Sequence, residues 1–440
     1  MQARFPKTSI VAISRRFAVH PRGERLMRFV GAFIVVVAAC ADPATDQQAH
    51  QDLARKKGAA VRHIVVLTME NRSFDHFLGW VPGADGKQAG LTYPDSSGGL
   101  HATHELAPDF QGCSFGDPDH SYAGGRAEYD DGRADGWLLV NDVFSIGYYT
   151  APDLAFWSRA VPLWTTFDHY HPAILSETIP NRIYLHAGQT DRIGNTFSIS
   201  HLPTIWDRLS AAGLKGRYYF SDAPFVALWG FKYLGISRLI SSFYADAAAG
   251  TLPDVAYIDG EYVQELIGTG NDDHPHGDIR NGEQFIAKVY DAIARSPEWN
   301  STVLLINFDE WGGFYDHVPP PAAAIPPATA AAGDTDGRLG FRVPAMIVSP
   351  FAPHKVAHRL YDHTSVLRMI EATFGLSPLT VRDATANNMA EELDFSHPRT
   401  APQPLALPHV QYGVPCFSSG PFAPLNGLQQ LARQYGFPHP

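Results

Sequence analysis

Cysteine is nearly absent: the 440 residues contain three, and no two are spaced Cys-x-x-Cys, which excludes a thiolate zinc site of the common spacing. There is no Cys-x-Pro-x-Arg segment either, so a sulfatase that depends on a modified cysteine is excluded. Charged residues make up only 18% of the chain, lysine is scarce, and no basic block occurs. With a formal net charge of −11 the chain lacks the basic stripe of a nucleic-acid binder, and no nucleic-acid partner is expected. No internal repeat is found. The apolar run from Phe29 to Ala39 has eleven residues, where about 20 are needed to span a bilayer.

What is present is apolar and aromatic. Hydrophobic residues reach 45% and aromatics 12%, enough for the core of one large α/β domain or two smaller ones. The 38 glycines and 34 prolines predict many ordered loops. Near the N-terminus, Arg25 and Arg28 precede the short apolar run and Cys40, the pattern of an export signal. Val37–Cys40 resembles a lipoprotein box, in which Cys40 is lipidated and attaches the chain to a membrane; plain cleavage is the alternative. Residues 1–26 are long and polar for a signal, and a start at Met27 leaves a short one. Ser14–Phe17 is similar to a twin-arginine signal, but no apolar run follows directly. The expected organisation is a signal over 1–40, a polar linker over 41–60, and one domain over 61–440 with a Pro-rich tail. The expected product is exported: periplasmic, an outer-membrane lipoprotein, or secreted. In an oxidising compartment Cys113 and Cys416 either pair or stay as two buried thiols.

Residues 61–80 read VRHIVVLTMENRSFDHFLGW. Ile64, Val65, Val66 and Leu67 form a continuous apolar run, as in a strand buried on both faces. The run breaks at Glu70, Asn71, Arg72, Ser73 and Asp75. Runs of this kind predict strands over 62–68, 215–220, 254–258, 303–308 and 343–349. Between them, 204–213, 281–297 and 363–375 carry apolar residues at helical spacing and close on Gly213, Pro297 and Gly375. Strands alternating with helices predict an α/β fold: a large central, mostly parallel sheet flanked by helices on both faces. Residues 318–340 read as a Pro/Ala/Gly loop, and 400–440 as irregular structure packed on the domain.

Ligands of open α/β sheets gather beyond the carboxyl ends of the strands. The first strand ends in Glu70-Asn71. The run at 303–308 ends in Asp309-Glu310, followed by Gly312-Gly313. If these strands are neighbours, their ends deliver oxygen ligands to one place, a hard cation site suited to Ca²⁺, Mg²⁺ or Mn²⁺ more than Zn²⁺. Capping of helix starts by acidic residues is the plain alternative. His120, His274 and His317 lie on expected loops beside Asp and suit phosphate binding or proton transfer. Composition alone does not separate them from His76, His169, His276 and His363. Ser176 and Thr178, just before Pro180, are candidate hydroxyl nucleophiles needing a metal or a base; a cap before Pro is the alternative. Trp137, Tyr148, Tyr149, Trp157 and Trp164 are core residues or, for a choline headgroup, a cage.

Five segments in order, MENRSFDHFLG, TIPNRIYLHAG, NDDHPHGD, FDEWGGFYDHVPPP and FRVPAMIVSPF, resemble the motifs of the bacterial phosphoesterase family. That family holds non-haemolytic phospholipases C, their plant counterparts and a respiratory-burst-inhibiting acid phosphatase. The resemblance runs from about Val61 to about Pro398. It implies the fold of the alkaline phosphatase superfamily and one divalent metal held by Glu70, Asn71, Asp309 and Glu310. It implies that Thr178 is the nucleophile, also touching the metal, and that His120, His274 and His317 surround the phosphate. Phosphatase members carry Ser at the Thr178 position and phospholipase-like members Thr. The segment HPHGD departs from the usual His-Pro-Pro, and Trp311 stands where many members carry His. The C-terminal β domains of the large phospholipases have no counterpart in this chain, which weakens the expectation of work at a lipid surface. The implied activity is that of a metal-dependent phospholipase C, cleaving diesters such as phosphatidylcholine through a phosphothreonine, with His317 or His274 protonating the leaving alcohol. The alternatives are an acid phosphatase acting on monoesters and a non-catalytic surface lipoprotein of the same fold.

Overall fold

A computed structural model describes residues 60–262, 268–399, 401–403 and 405–416. The signal and lipidation expectations, Cys40 included, and the linker to residue 59 lie outside them. Eight strands form the central sheet: β1 (His63–Met69), β2 (Thr165–Phe167), β3 (Gly216–Phe220), β4 (Ser237–Leu239), β5 (Val255–Asp259), β6 (Thr302–Phe308), β7 (Ala345–Val348) and β8 (Lys355–Ala357). Their order is β8-β2-β7-β6-β1-β5-β3-β4. Only β7 runs against the rest, so the mainly parallel α/β expectation holds. All seven residues of β1 are buried, as an unbroken apolar run demands of a strand covered on both faces. β1 pairs in parallel with β5 on one side and β6 on the other, Leu67 standing opposite both Ile258 and Ile306.

The helices flanking the sheet include α1 (Phe74–Leu78), α2 (Tyr122–Tyr129), α3 (Thr178–Ala187), α4 (Ile205–Ala211), α5 (Ile279–Ala294) and α6 (His363–Phe374). α5 buries Phe285, Ile286, Val289, Tyr290 and Ile293, the stripe its sequence spacing predicts. It begins two residues earlier than expected because Asp278 caps it, accepting from the Arg280 N–H. α6 is capped by Asp362 and stops at Gly375, whose φ is 69°, a value glycine adopts without strain.

Three strands of the central sheet lie outside the expected set, as do α1, α2, α3 and a short helix in the Pro/Ala/Gly stretch. β2, β4 and β8 have three residues each, too few for a periodic signal. The Pro/Ala/Gly stretch contains a short helix, Pro327–Ala332, opened by proline at its first turn. The described part of the tail is irregular and packs on the domain: the Tyr412 N–H donates to Asn281 Oδ1 at 2.9 Å. Cys113 and Cys416 form a disulfide with a Cα–Cα distance of 5.2 Å, which resolves the two alternatives for these thiols. Trp137, Tyr148, Tyr149, Trp157 and Trp164 are all buried in the core. They build the fold and form no exposed cage.

Candidate active site

Because β1 and β6 are adjacent and in register, Glu70-Asn71 and Asp309-Glu310 leave the sheet side by side. All four are fully buried. Asn71 has φ 55°, a left-handed conformation that asparagine tolerates better than most residues. Its N–H donates to Asp309 Oδ1 at 3.3 Å. Gly312 has φ 65°, and a Cβ there would lie 2.1 Å from the Asn71 carbonyl oxygen. Only glycine lets the two strand ends approach so closely.

Thr178 is the first residue of α3, with Glu177 at the N-cap. Pro180 follows within the first turn, where its missing N–H sacrifices no helix bond. The Thr178 hydroxyl is buried and donates to Glu70 Oε2 at 3.4 Å. Ser176, the other hydroxyl candidate, donates instead to the Ile193 carbonyl at 2.6 Å and is structural. One turn beyond Thr178, on the same helix face, Arg182 donates to Glu70 Oε1. It also donates to Asp309 Oδ2 at 3.0 Å and Asp259 Oδ1 at 2.7 Å.

His120 closes the site from the other side. Its Nε2 lies 3.4 Å from Asn71 Nδ2 and 3.8 Å from Glu310 Oε1, while Nδ1 faces the Pro118 carbonyl at 2.7 Å. His274 stands edge-on to it, with ring centroids 6.2 Å apart. Asp117, His120 and His274 bring ligand atoms within 4.8 Å of one another. His317 does not join them. Its Nδ1 is 2.5 Å from Asp75 Oδ2, its Nε2 is 3.2 Å from Asp85 Oδ1, and Arg342 bridges Asp75 and Asp316 beside it. The structure places His317 in an Asp75–Asp316–Arg342 network. His76, His276 and His363 face the carbonyls of Gly147, Phe115 and Phe308, and His169 lies 3.9 Å from Asp85. Trp311 is buried, and its indole N–H donates to Glu128 Oε2 at 2.8 Å; it anchors the loop after β6.

Burial raises the Glu70 carboxyl well above the usual carboxylate range, with Arg182 opposing. Burial does the same to Glu310, with His120 opposing. Burial pushes the His120 imidazole down, but Glu310, Asp117 and Glu177 outweigh it and lift it to about 10. His274 is pushed down to about 4 by burial, partly offset by Asp117, with His120 adding to the fall. The two neighbouring imidazoles are thereby shifted in opposite directions.

The residues fit a hard divalent cation. Asn71 Oδ1 and Glu310 Oε1 are buried without a hydrogen-bond partner, a costly arrangement unless positive charge is supplied. Every donor of the set is an oxygen, as such a cation requires. Among the described residues, Glu70, Asp309 and Glu310 do not bring three ligand atoms within 4.8 Å. Arg182 is bonded to both Glu70 and Asp309.

Sequence reasoning overlooked Arg182 and Asp259. Asp259 ends β5, the other neighbour of β1, so the strand-end rule that selects Asp309 selects it too. Arg182 is marked only by standing four residues after Thr178 on one helix.

Residues 61–377 match the family model of the Phosphoesterase family. The chain is 30% identical over 394 residues to non-specific phospholipase C6 of Arabidopsis thaliana, covering 80% of this chain and 75% of that one. It is 29% identical over 416 residues to non-hemolytic phospholipase C of Pseudomonas aeruginosa, covering 78% and 58% respectively. A solved structure of a protein in the alkaline phosphatase superfamily from Vibrio parahaemolyticus aligns over 75% of both chains, at 11% identity and a TM-score of 0.37. With the family match spanning most of its length, the chain belongs to the phosphoesterase family, hydrolases acting on ester bonds.

Proposed function

We propose that the chain is an exported, metal-dependent phosphoesterase of the phospholipase C type, cleaving diesters such as phosphatidylcholine through a phosphothreonine at Thr178. The observation that carries the reading is the buried Thr178 hydroxyl at the start of α3, donating to Glu70 one turn before Arg182. A divalent cation held by Glu70, Asn71, Asp309, Glu310 and the Thr178 oxygen would supply positive charge beside the attacking and phosphoryl oxygens.

The chain's own groups do the rest. Glu70 orients the Thr178 hydroxyl and stands ready for its proton. Thr178 Oγ1 forms a bond to phosphorus as the bond to the glycerol oxygen breaks, and the electron pair leaves with that oxygen. His120 and His274 hold the phosphoryl oxygens, and a ring N–H of this pair returns a proton to the leaving alcohol. The N-terminus of α3 presents its positive end to the developing charge. Water then cleaves the phosphothreonine and releases phosphocholine. The Cys113–Cys416 disulfide supports export, since such bonds persist in oxidising compartments; Cys40 is the candidate lipid attachment.

The test is hydrolysis of p-nitrophenylphosphorylcholine and p-nitrophenyl phosphate by wild type and Thr178→Ala, with and without EDTA. The expected result is preference for the diester, loss of about three orders of magnitude or more in the variant, and loss with EDTA reversed by a divalent metal. Near-normal turnover by Thr178→Ala overturns the mechanism. Preference for the monoester moves the chain to the acid phosphatases.

A further inference from the structure

The chain as a whole is acidic, with a formal net charge of −11, yet one edge of the sheet is apolar and basic. After β3 the chain makes a short helical turn at Phe225–Trp229 and returns as β4, the edge strand. At the tip between them Phe231 is 90% exposed and Leu234 65% exposed. Both belong to one turn, the Leu234 N–H donating to the Phe231 carbonyl at 3.2 Å. Ile199, 50% exposed, adjoins the tip, its Cδ1 4.0 Å from where a Gly230 Cβ would stand. The base beneath is firm: Trp229 and Tyr233 are buried, and the Trp229 indole donates to the Leu202 carbonyl at 2.9 Å. An ordered tip that holds a phenylalanine in solvent gains nothing in folding from its exposure, and such patches mark interaction sites.

Basic side chains lie along the same edge of the sheet, with Asp207 and Asp254 among them. Lys232 and Arg238 are exposed on the same segment, and Lys215 and Arg217 lie at the start of β3. Lys232 pairs with Asp207 at 2.8 Å. Arg238 folds back on the carbonyls of Gly235 and Ser237. Among the described residues Lys215, Arg217 and Arg238 form no ion pair. Apolar side chains that stop at the acyl boundary, ringed by cations at phosphate level, are what a lipid surface accepts. The segment also begins at the active site, the Arg182 guanidinium standing 5.9 Å from the Phe225 ring centroid.

We infer that Phe231, Leu234 and Ile199, with Lys232, Arg238 and Lys215, form a docking surface for a phospholipid bilayer containing anionic lipid. It would seat the active site on its substrate, and this deepens the phospholipase C reading, on which it rests. A second copy of the chain would also cover the apolar tip, but the unpaired basic residues favour phosphates.

The test is sedimentation with vesicles of phosphatidylcholine and phosphatidylserine, comparing wild type with a Phe231→Ser, Leu234→Ser double variant and with Arg238→Gln. Wild type is expected to sediment with the vesicles, and the double variant to partition roughly tenfold or more weakly. Arg238→Gln is expected to weaken binding at low salt only. Hydrolysis of vesicle phosphatidylcholine should fall with binding, while turnover of soluble p-nitrophenylphosphorylcholine stays unchanged. Wild type that does not sediment, or a double variant that sediments equally well, overturns the inference. A wild-type dimer that the double variant abolishes overturns it in favour of self-association. Failure of wild type to cleave the soluble diester would instead sink the catalytic reading, leaving the sedimentation result to judge the surface.

Discussion

Thr178 and Arg182 divide one carboxylate between them: Thr178 Oγ1 donates to Glu70 Oε2 at 3.4 Å, and Arg182 Nη2 donates to Glu70 Oε1. One turn of α3 separates the two, so a single rigid element sets both the hydroxyl and the positive charge beside it. The same guanidinium reaches the ends of β5 and β6 through Asp259 and Asp309. Arg182 therefore locks α3 to three adjacent strand ends.

Arg182→Gln should be severely destabilising at neutral pH, because it leaves Glu70, Asp259 and Asp309 buried without their guanidinium. Breaking a buried ion pair by removing one partner costs about 3–5 kcal/mol. Burial already raises Glu70 and Asp259, and without the arginine they rise further, so the loss should shrink as pH falls. Urea midpoints of wild type and variant at pH 5 and pH 7.5 would measure this. An equal loss at both values would count against the charge argument. Arg182→Lys should recover only part, since an ammonium lacks the planar fork that serves three carboxylates.

Glu283 on α5 predicts a second pH effect, remote from the site. It is fully buried, accepts from the Phe156 N–H, and its Oε1 has no hydrogen-bond partner. Burial raises its carboxyl to about 8, with backbone N–H groups opposing. The folded state thus holds a proton that the unfolded state releases near pH 4.5. Its contribution to stability is fully present below that value, declines as pH rises to about 8, and is flat above. Glu283→Gln keeps a neutral side chain at every pH, so its stability relative to wild type should rise by up to about 4 kcal/mol between pH 5 and pH 8.5. Parallel denaturation curves for the two proteins across this window would refute the assignment.

These predictions depend on groups of unequal visibility in the sequence. β1, β5, β6 and β7 are readable because strands buried on both faces write themselves as continuous apolar runs, while β3 is marked only by its Tyr218-Tyr219-Phe220 aromatic run. β2, with the sequence TTF, has no such run and exists through its pairing with β7 and β8. Glu70-Asn71 and Asp309-Glu310 could be picked out because they follow readable strands. Arg182 could not, because its partners come from three distant segments and meet only in the fold. His120 and His317 looked alike because each follows an aspartate. Which carboxylate each ring finally faces, Glu310 or Asp75, is a tertiary fact that no local pattern contains.

Gly312→Ala is expected to abolish the site while sparing the sheet. The new Cβ would meet the Asn71 carbonyl at 2.1 Å, at a φ of 65°, so Asn71 and the Asp309-Glu310 loop must separate. Misplacement of about 1 Å at a reacting centre costs roughly a hundredfold in rate. The readouts are diester turnover and divalent-metal affinity, both falling, beside a circular dichroism spectrum that is unchanged. Normal turnover would show that the strand ends need no such close approach.

The Cys113–Cys416 bond joins residues 303 apart in sequence, so it restricts a very long loop of the unfolded chain. On its folded side, Gln111 holds the same stretch of tail: its Nε2 donates to the Val414 carbonyl at 2.5 Å and its Oε1 accepts from the Val414 N–H at 3.2 Å. Gln111 Nε2 also donates to the carbonyls of Gly268 and His276, which tie in the loop that carries His274. Loss of the cross-link should therefore cost about 2–5 kcal/mol and loosen the segments that carry His120 and His274. Thermal midpoints of wild type with and without reductant, beside a Cys113→Ser, Cys416→Ser variant, separate the effects. Reductant should lower the wild-type midpoint to that of the variant and leave the variant unmoved. A wild-type midpoint insensitive to full reduction would show that the tail is held by Gln111, Asn281 and packing, with the covalent bond redundant.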